Sequence, residues 1–136
     1  MIYFIHQMKG DKKMKNSEWY MTPQPVNINY VNALIALVKN CRFVGVELNE
    51  VKFFQGGWVV TFKGFENADA ICHDGSYGSP CYLGVHHNNS KAKWETMGFP
   101  WDEDDVSVHS AYSLAHMLAC LQKGENWRKW EDEDEC

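Results

Sequence analysis

Cysteine and histidine crowd one stretch of the chain: Cys72-His73-Asp74, then Cys81, then His86-His87. Thiolate and imidazole are the ligands of tetrahedral structural Zn²⁺, so Cys72, Cys81, His86 and His87 are the metal candidates. Their spacing argues against a site. The interval from Cys72 to Cys81 exceeds the roughly two-to-four-residue knuckle of zinc modules. Adjacent histidines on a strand also point to opposite faces. The expectation is a sheet that contains these residues without metal or other cofactor.

The same stretch supplies nucleophiles, Cys72 and Ser76, and bases, His73 and His109. Covalent catalysis needs nucleophile and base within hydrogen-bond reach, which neighbours on one strand cannot achieve. No G-x-S-x-G elbow and no cysteine-protease context flanks them. Gly56-Gly57 and Gly75…Gly78 match neither a Walker nor a dinucleotide loop. The reading is therefore a non-catalytic protein.

Asp102-Glu103-Asp104-Asp105 could attract a divalent cation, but it lacks the glycine and closing glutamate of an EF-hand loop. Set just before a helix, these acids also suit the positive end of its dipole. Six tryptophans complete the inventory. Trp94, Trp101 and Tyr77 stand out as surface anchors, since Trp and Tyr dominate binding hot spots.

These residues need elements to hold them. Tyr30, Val31, Leu34, Ile35 and Val38 recur at helical spacing, with Asn27 or Asn29 as cap, which predicts a helix ending near Asn40. Short strands are expected at Val44–Leu48, Val51–Gln55, Trp58–Lys63 and 68–73, with Gly56-Gly57 turning one hairpin. Residues 74–80 are dense in turn formers, and Cys81–His87 and Ala92–Met97 would continue the sheet. Leu114, Met117, Leu118 and Leu121 form a helical stripe between a Ser110 cap and Gly124. Trp127 and Trp130 should fold back on the body. The predicted class is α+β: an antiparallel β-meander of about four to six strands, flanked by an N-terminal and a C-terminal helix packed on one face.

With 136 residues there is room for one core. The division is an N-terminal extension and loop over 1–25, a single α+β domain over 26–130 and an acidic tail over 131–136. No apolar run reaches the ~18 residues of a membrane span, and the apolar start lacks the features of a secretory signal. Five irregularly spaced cysteines suggest reduced thiols and a cytoplasmic setting. The net charge of −5 is asymmetric, with ten acids after residue 100 against Lys123, Arg128 and Lys129. Such an end repels nucleic acid and attracts basic surfaces.

The segment Ala70 to Leu121 resembles small, mostly uncharacterised accessory proteins of bacteriophage and prophage genomes. The likeness rests on the turn His73-Asp-Gly-Ser-Tyr-Gly78, the strand Trp94-Glu95 and the acidic run Gly98 to Val106. Pro80 to Lys93 departs from the pattern as an insertion. The resemblance carries no activity, but it implies a context, the host cytoplasm, in which such proteins bind host macromolecules and include inhibitors of restriction or CRISPR defence. The expected partner is a host protein that itself binds nucleic acid, engaged through Asp102, Glu103, Asp104, Asp105, Trp101, Tyr77 and Trp94. Direct nucleic-acid or membrane binding is not expected, and the oligomeric state is open. Two alternatives stand beside it: a protein that sequesters a nucleotide signal by stacking near Tyr77, His86 and Trp94, and a small zinc-supported domain.

Overall fold

The computed structural model describes residues 28–79, 81–82, 85–86 and 92–131. The expected extension over 1–25, the Asn27 cap, His87 and the tail beyond Glu131 lie outside the described residues. Helix α1 (Ile28–Val44) leads into β1 (Leu48–Phe54), β2 (Gly57–Phe62) and β3 (Asp69–Cys72). A small hairpin follows, β4 (Cys81–Tyr82) with β5 (Val85–His86). Then come β6 (Trp94–Met97), β7 (Val106–His109), helix α2 (Ala111–Lys123) and a 3₁₀ turn at Trp127–Trp130.

Five strands form one antiparallel sheet in the order β1-β2-β3-β6-β7, a meander interrupted only by the separate β4–β5 hairpin. The chain is thus α+β, with two helices packed together over one face. Tyr30, Leu37 and Cys41 of α1 recur at helical spacing and are fully buried. They meet Leu114, Met117 and Leu118 of α2 and the strand residues Val60, Phe62, Ala70, Cys72 and Trp94 in one core. The period of two puts those strand residues on a single face. The alternate residues Val59, Thr61, Asp69, Ile71 and Glu95 are also buried, so the central strands are covered on both sides.

Three local features close the frame. Ser110 caps α2 by accepting a hydrogen bond from the Ser113 amide, and Gly124 ends it at φ 70°. The β1–β2 hairpin turns through Gln55 and Gly56, both at positive φ (49° and 79°). That is the twist-matched two-residue turn, reached here with a non-glycine first residue. Next to it, a Cβ on Gly57 would sit 2.0 Å from the Cys72 carbonyl oxygen, so only glycine lets β2 and the end of β3 approach.

The structure departs from the sequence reading at four places. Helix α1 runs on to Val44, and a single strand, β1 from Leu48 to Phe54, stands where two were expected, at Val44–Leu48 and Val51–Gln55. The helix starts at Ile28, so Asn29 lies inside it and is not its cap. Within the expected Cys81–His87 strand, Cys81–Tyr82 pairs with Val85–His86, and neither joins the main sheet. A strand, β7, stands between the acidic run and α2, so those acids are not at the helix N-terminus and α2 has no acid in its first turn.

Candidate functional site

Two polar constellations are built on this frame. The first is the turn after β3. Ser76 folds it by donating from Oγ to the His73 carbonyl at 2.8 Å, while the His73 amide donates to the same Oγ at 3.2 Å. The His73 ring is buried against Phe54, and its Nδ1–H donates to the Asp74 carbonyl at 2.8 Å. The turn is tied to α1 because the Tyr30 hydroxyl donates to Asp74 Oδ1 at 2.6 Å and also contacts Ser79 Oγ. It is tied to the β1–β2 hairpin through the Asp74 amide on the Gln55 carbonyl. At its apex, the Tyr77 amide donates to the buried Glu95 carboxylate at 2.7 Å. The backbone of Tyr77 is therefore fixed while its side chain is 65% exposed.

The second constellation lies at the other end of β6, beneath the acidic run. Asp102 turns inward and accepts from Thr96 Oγ1 at 3.0 Å, from the Phe99 amide at 3.2 Å and from Ser107 Oγ. Trp101 Nε1 donates to Thr96 Oγ1 at 3.0 Å, and Ser107 Oγ meets His109 Nε2 at 2.6 Å. A hydroxyl has one proton. With that of Ser107 given to Asp102, His109 Nε2 must be the donor to Ser107. Proton-donating chains from Trp101 and from His109 thus converge on one carboxylate.

In this arrangement Ser107, His109 and Asp102 tie the loop to β7. Trp101 stacks on Phe99 at 4.8 Å and meets Trp127 edge-on, which clamps the loop from the core side.

The seven residues proposed as partner contacts therefore separate. Trp94 is fully buried and Trp101 is 6% exposed, so neither offers an anchor to a partner. Asp102 is half-buried and occupied by its three hydrogen bonds. Glu103, Asp104 and Asp105 remain exposed in succession, and Tyr77 is exposed across β6 from them. The four residues of β6 set these two features roughly 10 Å apart along the strand. Burial of Trp94 also removes it as a stacking partner for a nucleotide base.

Of the metal candidates, Cys72 faces the helices in the core, and burial pushes its thiol far above the ordinary range, away from the thiolate a metal needs. The same cause lifts Cys41 to about 12. Cys81 and His86 pair across the β4–β5 hairpin, and His87 is not described. Among the described residues, no three of His, Cys, Asp and Glu come together as a metal cluster, and no helix is long and apolar enough to cross a membrane.

Sequence reasoning missed Thr96, Ser107 and His109 as a unit. The available signal was the alternation Val106-Ser-Val-His109, which puts Ser107 and His109 on one face of a strand. No protein-family model, no curated protein and no solved structure matches the chain.

Proposed function

We propose that this chain is a non-catalytic binding protein that offers a preorganised acidic loop to a basic, nucleic-acid-directed host protein and inhibits it. The observation that carries this reading is the division of labour within one acidic run. Asp102 anchors the loop, and Glu103, Asp104 and Asp105 directly after it are exposed. Preorganisation spares the entropy of ordering the loop on binding, and clustered like charge speeds association with a basic groove. Tyr77, held on Glu95 at the other end of β6, supplies a separate aromatic anchor. The phage-accessory resemblance supports a host defence protein as the target class.

The test is capture from host lysate at low and high salt, with the wild-type chain and the variant Glu103→Gln/Asp104→Asn/Asp105→Asn as parallel baits. The proposal expects a basic protein that elutes with salt and is lost from the neutralised bait. Equal capture by both baits would remove the acidic loop from the account.

A further inference from the structure

We infer that the chain forms a two-fold dimer by pairing its β1 strand antiparallel with β1 of a second copy. β1 is an edge strand of the five-stranded sheet and has seven residues. Its β2 register, closed by the pair Phe54↔Gly57, alternates hydrogen-bonded and open pairs. The amides of Phe54, Lys52 and Glu50 turn toward β2, and those of Val51 and Phe53 turn out to the edge, where no strand among the described residues pairs with them. An edge of this length with apolar side chains is a template for another strand.

The side chains on that edge favour a second copy. Cross-strand pairing places Val51 with Val60 and Phe53 with Trp58, on the helix-covered face. Yet Val51 is 41% and Phe53 48% exposed, because α1 does not reach over the edge. Val38 and Arg42 of α1 and Leu48 of β1 line a groove of about 370 Å³, and Ile35, 50% exposed, lies one helical turn before Val38. In a two-fold pair centred on Val51, each Val51 exchanges its N–H and C=O with its counterpart. Each Glu50 then lies opposite Lys52 of the second copy. Within one chain these two already form an ion pair at 3.8 Å. Across the axis they give two opposite-charge pairs, so the strand is complementary to itself, as an isologous interface requires. Helix α1 packs on β2, so the two α1 helices would lie about three strand spacings, ~14 Å, apart. That gap exceeds the ~8–10 Å of direct helix contact, and Ile35, Val51 and Phe53 of both copies fill it.

Sedimentation equilibrium over a range of protein concentrations reads the state directly. The wild-type chain should reach twice the monomer mass. Lys52→Glu, which sets like charges opposite each other, should weaken association at least tenfold. The double swap Glu50→Lys/Lys52→Glu should restore it. Circular dichroism on each variant confirms the fold. A wild-type chain that stays monomeric overturns the inference. So does a dimer indifferent to Lys52→Glu, which would use another face. Because the acidic loop precedes β7 at the opposite edge, neither result bears on the proposed function.

Discussion

Replacing Asp102 by alanine tests whether this carboxylate anchors the loop or meets a partner. The change strips the acceptor from Thr96 Oγ1, Ser107 Oγ and the Phe99 amide. Hydrogen bonds to a charged group contribute about 1.5–3 kcal/mol each when no water can replace them. Asp102 is half-buried, so water can re-pair part of the set, and about 1 kcal/mol per bond is the appropriate scale. The expected loss is about 3 kcal/mol, on the order of 10 °C in Tm for a chain of this size. Asp102→Asn keeps the shape and one acceptor but turns an amide toward a donor, and should cost about 1–2 kcal/mol. Exposed Glu103→Gln and Asp104→Asn should stay within about 0.5 kcal/mol of wild type. Urea unfolding followed by tryptophan fluorescence measures all four. The near-ultraviolet circular dichroism of the stacked Trp101–Phe99 pair should fall in Asp102→Ala while far-ultraviolet signal persists. An Asp102→Ala protein as stable as Glu103→Gln would refute the convergent network and return Asp102 to the surface.

Other outcomes follow from the same geometry. Gly57→Ala drives a Cβ into the Cys72 carbonyl and should cost about 4 kcal/mol by denaturant titration. Tyr77→Ala should leave stability within about 0.5 kcal/mol while lowering affinity for a captured partner by roughly tenfold or more, measured by surface plasmon resonance. Cys41 and Cys72 should resist alkylation in the native protein at neutral pH and react on unfolding, as read by peptide mass spectrometry. For Cys41 the folded pKa lies above the unfolded value, so its contribution is intact below about pH 9. It is lost as pH rises from there through about 12, where the unfolded thiolate is favoured, and the alkaline limb of a stability–pH curve should carry this loss.

How much of this was legible in the sequence depends on the range of the forces involved. Helix α2 was legible end to end, because Ser110, the apolar stripe and Gly124 are local signals that the structure realises without alteration. The fold class was legible too, from strand-length apolar segments without a crossover between two helices. The C-terminal end of α1 was not: Asn40 reads as a stop, but its side chain donates back to the Ala36 carbonyl, and Cys41 is buried in the core, so packing carries the helix onward. Strand β7 was obscured by the acids before it, which read equally well as a helix entry. The candidate site was half legible. Acidic composition marks residues 102–105, but only three-dimensional pairing tells the inward Asp102 from the outward Glu103, Asp104 and Asp105. Trp94 and Trp101 look like anchors in a list of aromatics, and it took β6 and the Phe99 stack to place them inside.

The most direct test of the central claim is the salt dependence of affinity for the captured partner, measured side by side for the wild-type chain and the Glu103→Gln/Asp104→Asn/Asp105→Asn variant. The account predicts that wild-type affinity falls steeply with added salt, and that the variant binds weakly at low salt with a much flatter dependence. Parallel salt curves of equal affinity would contradict it.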